Sequence, residues 1–232
     1  MNEKNQYKRL HFDHLPSTQD CAKEKRADGE NLVVTASNQT GGKGTKGRSF
    51  SSRKGGVYLS RLTFYEDLPV KSAFKIMIGA AVAVCETLRF YGLKPLIKWP
   101  NDIWVDDKKI CGILIENVLS GDKVRSSVVG IGLNVSNDLP EELKEIATTM
   151  ALHGVAPAVE EVTERLLAEL CKERTMEEYR AYIGYMGREV ILLLGDKRIP
   201  GTLVCVDDEG GLLVKVDGEI RRFTAAEVSI RL

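Results

Sequence analysis

The stretch 39–48, QTGGKGTKGR, packs four glycines and three cations into ten residues, and what flanks it decides the fold. Gly42, Gly44 and Gly47 satisfy G-x-G-x-x-G, and 42–49 misses the P-loop pattern only in having Arg48 where lysine is required. Both motifs need a helix directly after the glycines, because its free amides hold the phosphate. Here Gly55 and Gly56 open GGVYLSRLTF instead, an alternating, aromatic and β-branched run that reads as a strand. A short apolar run, Leu32 to Ser37, reads as a strand entering the loop. A glycine loop between two strands suits a protein kinase, but V-A-I-K, H-R-D and D-F-G are missing.

Working outward, Ser17 or Thr18 can cap a helix through about Ala27 that Gly29 stops. Pro69 fits the first turn of a long helix through Tyr91, with Gly92 as its stop and Ala80–Ala83 on its packing face. From Leu96 the segments IKW, DIWV, ICGILIENV and VVGIGLNV read as successive strands, with a turn at Asp106–Lys109 making a hairpin. Pro140 is expected to open a further helix, and Val159–Ile183 a longer one broken near Arg174 and Thr175. After Gly187 come REVILLL, TLVCVD, LLVKV, EIRRF and VSIRL, separated by short turns, the spacing of a small five-stranded barrel. The expectation is an α+β chain: a mixed, mostly antiparallel sheet with flanking helices over 1–184, and a β-barrel over 185–232.

The 232 residues suffice for an ordinary core, and 43% hydrophobic with 28% charged residues leaves no disordered block. Basic and acidic side chains balance at 33 each, so no whole-molecule field draws the chain to nucleic acid or an anionic membrane. The apolar run Ile76–Cys85 is too short to span a bilayer, and the polar start MNEKNQYKRL lacks a signal-peptide core, so a cytoplasmic address is expected. Cys21, Cys85, Cys111, Cys171 and Cys205 are scattered singly, against a disulfide framework or structural zinc. His11, His14 and His153 form no metal motif, so no protein metal ligands are expected, and Mg2+ enters only as a hydrated ion carried by a nucleotide.

Within this frame Lys43, Lys46, Arg48, Arg53 and Lys54 make the loop a seat for phosphate or carboxylate. Alone, it fits a solvated hairpin with surface lysines equally well. Two further segments weigh against that. In Lys98-Trp99-Pro100-Asn101-Asp102 a lysine enters a turn between apolar strands, where it is costly unless an anion meets it. In KICGILIE from Lys109 and GIGLN from Gly130 the strands are apolar except for Lys109, Glu116 and Asn134.

Taken in order, these segments resemble the biotin protein ligases, whose pattern runs S-T-N, G-R-G-R-x-x-R, K-W-P-N-D, K-x-x-G-I-L-x-E and G-x-G-x-N. The resemblance is close from Ser17 to Asn134 and loose over the C-terminal unit. It implies a class II synthetase-like catalytic domain and an SH3-like barrel. It also implies a two-step ligase that joins the biotin carboxylate to AMP from ATP and passes the acyl group to a lysine of a biotin carboxyl carrier domain, of acetyl-CoA carboxylase or another biotin-dependent carboxylase. By the same resemblance Ser17, Thr18, Gln19 and Gln39 meet the ureido end of biotin, and Lys43, Gly44 and Thr45 lie along the acyl phosphate. Lys109 contacts the carboxylate. Lys98, Trp99, Asn101, Asp102 and Asn134 belong to the nucleotide side. Lys43, Arg48 and Lys109, with Lys98 and Mg2+, would offset the repulsion between two anions brought to contact.

Gln19 replaces the pattern's Asn, Lys43 its first Arg, and Thr45 its second Arg. Losing that guanidinium removes a bidentate phosphate clamp and predicts a looser hold on the adenylate. Only sixteen residues precede Ser17, against roughly 50 for a folded domain, so no DNA-binding module is expected. Lipoate or octanoate attachment and a non-catalytic biotin or nucleotide sensor are the competing functions. Dimerisation follows from the resemblance alone.

Overall fold

The computed structural model describes residues 7–225 and the backbone of 229–231. The polar start before Tyr7, and the first and last residues of the expected VSIRL strand, lie outside the described residues.

Seven strands form one mixed sheet: β1 Lys8–Phe12, β2 Leu32–Ala36, β3 Gly56–Pro69, β4 Leu96–Lys98, β5 Asp102–Val105, β6 Lys108–Ser120 and β7 Lys123–Asn134. Their order is β1-β2-β3-β7-β6-β5-β4, antiparallel throughout except for the parallel β1–β2 pair. β1 has no counterpart in the sequence reading. KRLHF is a half-exposed edge strand whose Leu10 and Phe12 pack against the small cluster of Ala22, Leu32, Val34, Leu62 and Val128 under α1, Thr18–Glu24.

Two prolines mislead the sequence reading. Pro69 ends β3 instead of starting a helix: it stays in register with Lys123, and Val70 N–H donates to Asp122 O. The long helix α2 therefore runs Phe74–Phe90. Pro140 opens only a 3-10 turn, Glu141–Leu143, because the chain then pairs with β6, Lys109 N–H donating to Ile146 O and Thr148 N–H to Lys109 O. Elsewhere the boundaries hold. Ser17 caps α1, whose extension ends at Gly29 in the left-handed region (φ 71°). The expected break separates α3, Val159–Glu169, from α4, Met176–Tyr182, which opens with a Thr175/Glu178 capping box.

Helices α2, α3 and α4 cover one face of the sheet, burying Val57, Leu59, Ile113 and Ile131 in the main core. That core continues into a second, antiparallel sheet of order β11-β10-β9-β8-β12. Its strands are β8 Glu189–Leu194, β9 Lys197–Val206, β10 Leu212–Val216, β11 Glu219–Phe223 and β12 Ser229–Arg231. Five strands are present where five were expected, and among the described residues no ladder joins β11 to β12.

Candidate active site

Period-2 geometry fixes the floor of the site. Cross-strand register sets Ser60, Gly130 and Leu114 in one row and Tyr58, Gly132, Gly112 and Asp102 in the next, on the face that carries α1. Three side chains are thus missing from the middle of a face, leaving a trough between the sheet, α1 and the glycine loop. The Phe50 ring fills part of it: a β-carbon on Gly132 would sit 2.5 Å from that ring, and one on Gly112 3.3 Å.

Buried polar side chains form one end. Thr18 donates from its backbone N–H and its hydroxyl to Gln39 Oε1, at 2.7 and 3.1 Å, and Gln39 Nε2 donates to Ser52 Oγ. Ser60 lies 2.9 Å from the Thr18 hydroxyl and donates to Gln19 Oε1 at 3.1 Å. Ser17, Thr18 and Gln19 are each 3% exposed, so these groups are held by one another in a buried hydrogen-bond network.

The other end is cationic. Lys43 pairs with Asp20 at 2.6 Å, and Lys109 with Asp102 at 2.7 Å. Burial would raise the Asp20 carboxyl, but Lys43 and Lys23 outweigh it and hold it below the ordinary value. Asn101 steadies this corner: its side-chain amide donates to Ile113 O, and its own carbonyl accepts from Ile113 N–H.

The glycine loop is itself a small hairpin. Gly44 N–H donates to Arg48 O and Phe50 N–H to Gly42 O, with Lys46 and Gly47 at the tip in the left-handed region. Arg48 N–H also donates to Thr45 O, so three amides of the hairpin are engaged internally. Arg48 folds back, its guanidinium donating to Thr45 Oγ1 and Thr45 O.

Ser17, Thr18, Gln19 and Gln39 thus line the trough at its polar end, and Lys43, Gly44, Thr45, Asn101 and Lys109 line the rest. Five residues that the resemblance assigns to the site are not in this lining. Lys98 Nζ lies 4.2 Å over the Trp104 ring, Asp102 reaches the site only through Lys109, and Arg48 through Thr45. Asn134 is buried, donating to Thr148 O and accepting from Asn137. Trp99 is buried and donates from Nε1 to Gly210 O, pinning the C-terminal sheet to the corner before Asn101. Phe50 and Ser60 were missed. Ser60 is legible as the cross-strand partner of Gly130 once register is known, whereas Phe50 carries no local signal.

Such a trough takes a ligand with hydrogen-bonding groups at one end and an anion at the other. A family model described as "Biotin/lipoate A/B protein ligase family" matches residues 12–134, and one described as "Biotin protein ligase C terminal domain" matches 185–231. The chain belongs to the biotin protein ligases of this family. It is 33% identical to the Bacillus subtilis "Bifunctional ligase/repressor BirA" over 95% of its own length and 73% of that protein's. It is 30% identical to the Mycobacterium tuberculosis "Biotin--[acetyl-CoA-carboxylase] ligase", covering 87% of this chain and 80% of that one. Its fold matches the Aquifex aeolicus biotin protein ligase in complex with biotin and ATP, with TM-score 0.76 and 30% identity over 96% of this chain and 98% of that one. Membership in this family makes the trough between the glycine loop and Lys109 the candidate centre of an ATP-dependent ligation.

Proposed function

We propose that the chain forms biotinyl-5′-AMP from biotin and ATP and transfers the biotinyl group to a lysine of a biotin carrier domain. The observation that carries this is the polarity of one trough, with amide and hydroxyl groups buried at one end and Lys43 and Lys109 at the other. A ureido ring offers two N–H donors, which suit Gln19 Oε1, Gln39 Oε1 and the Thr18–Ser60 hydroxyl pair. The valeryl chain would run past Gly130 along the Phe50 ring, which itself covers Gly132, with its carboxylate between the two lysines. The ligands of the Aquifex aeolicus structure, biotin and ATP, support this reading.

In the first step a carboxylate oxygen attacks the α-phosphorus and pyrophosphate leaves; in the second the carrier amine attacks the acyl carbon and AMP leaves. Two anions meet in the first step, and Lys109 and Lys43, each already paired with a carboxylate, offset that repulsion from fixed positions. Asp102 orients Lys109, and Asn101 fixes the strand beneath. Mg2+ would enter with the nucleotide, as a hydrated ion carried on its phosphates.

The test incubates the protein with ATP, Mg2+ and biotin, with and without a biotin carrier domain. Biotin-dependent ATP–pyrophosphate exchange and one biotinyl group on the carrier by mass spectrometry are expected. Exchange with lipoate in place of biotin would move the function to the sister chemistry, and biotin binding without exchange would make the chain a sensor.

A further inference from the structure

Gln19 is the polar-end residue that departs from the family pattern, and its surroundings leave its amide only one orientation. Nε2 donates to Glu116 Oε2 at 2.8 Å and to Val128 O at 3.2 Å. A carboxylate and a backbone carbonyl accept only, so the NH2 group must face them. Oε1 is thereby turned to Ser60 Oγ and into the trough. Gly130 completes the arrangement, since a β-carbon there would lie 2.5 Å from that oxygen. Asparagine, a methylene shorter, would not span from α1 to both β6 and β7. Glu116 itself lies outside the trough lining, and its second oxygen accepts from Lys23 Nζ at 3.2 Å.

Resting on the ligase reading above, we propose that Glu116 is a positioning residue that holds the Gln19 carbonyl toward the ligand, so that the polar end selects an acid whose head group presents N–H donors. Replacing the carboxylate by an amide leaves the Val128 carbonyl alone to hold the orientation, because a glutamine at 116 can donate to Gln19 Oε1 as well as accept from Nε2. The rotated amide then presents N–H to N–H, an unsatisfied buried contact.

The experiment measures biotin-dependent ATP–pyrophosphate exchange for the natural chain, Glu116→Gln, Gln19→Ala, the double variant and Lys8→Met, with biotin affinity by calorimetry. Glu116→Gln is expected to raise KM for biotin and weaken its binding about tenfold while KM for ATP and kcat hold within about twofold. Lys8→Met, an exposed residue paired with Glu30 outside the trough, should leave all three unchanged, and Glu116→Gln should add nothing once Gln19 is alanine. An unchanged biotin KM in Glu116→Gln, or a full effect surviving in the Gln19→Ala background, overturns the role of Glu116. Absence of biotin-dependent exchange in the natural chain overturns the ligase reading and this role with it. Should thermal unfolding show Glu116→Gln misfolded, Glu116→Leu is read instead, with the same rise in biotin KM expected.

Discussion

At the scale of single residues the trough divides its labour by chemistry. Lys109 is less exposed than Lys43, bonded to Asp102 and 5.9 Å from the centre of the Phe50 ring. Its replacement by methionine keeps the stem but removes the charge expected to face the developing adenylate. Exchange should fall about 10²–10³-fold in kcat, with biotin affinity changed far less; a variant as active as the natural chain would remove Lys109 from the chemistry. Thr45 makes the opposite case. Where the family pattern has a second arginine, its hydroxyl accepts from Arg48 and keeps that guanidinium folded on the loop tip. Thr45→Arg should slow escape of biotinyl-AMP, measured by chase with unlabelled adenylate, and equal release rates would show that the residue does not set retention.

Elements were legible where local chemistry and the sheet agree. Ser17 with Gly29, and the break near Arg174 and Thr175, mark helix ends that the structure keeps. The apolar runs ICGILIENV and VVGIGLNV marked β6 and β7, while their register, which alone shows that Gly112, Gly130 and Gly132 share one bare face, is a tertiary property. The prolines were misjudged because ladder pairing with β7 or β6 outcompetes a helix start in forming backbone hydrogen bonds. Trp99 marks the limit of motif reading: the sequence pins an aromatic beside Asn101, but its Gly210 partner lies 111 residues away.

The α3–α4 break shows how charge holds elements together. Glu169 is 2% exposed and meets Arg165, Lys172 and Arg174, and Arg174 in turn reaches Glu178 at the start of α4. Removing the carboxylate leaves three cations without their shared partner, so Glu169→Gln should cost about 3 kcal/mol in urea unfolding. Lys144–Glu141, both exposed, supplies the control, since its loss should cost under about 1 kcal/mol.

For the whole molecule, the two sheets meet at the turn after β9, and a carboxylate holds that turn. Asp207 accepts from the amides of Gly211 and Glu209 at 2.7 and 3.0 Å and from the Arg222 guanidinium, shaping the loop whose Gly210 carbonyl holds Trp99. Burial would raise the Asp207 carboxyl, but Arg222 and the two amides outweigh it and hold it low; Glu169 is likewise low because Lys172, Arg165 and Arg174 outweigh its burial. A carboxyl depressed in the folded state stabilises the fold above its unfolded pKa, about 4, and loses that contribution as pH falls through the lower folded value. Stability should therefore be level from pH 7 to about 5 and fall steeply below about pH 4. Asp207→Asn carries the loss at every pH, so its thermal midpoint should lie below that of the natural chain at pH 7 and the gap should narrow as pH falls below about 4. Because the turn anchors Trp99, beside Asn101 and Asp102, the same variant should also weaken biotin binding at pH 7. A midpoint difference undiminished at pH 3 would show that the asparagine acts through packing, leaving the charge on Asp207 without a part in joining the two sheets.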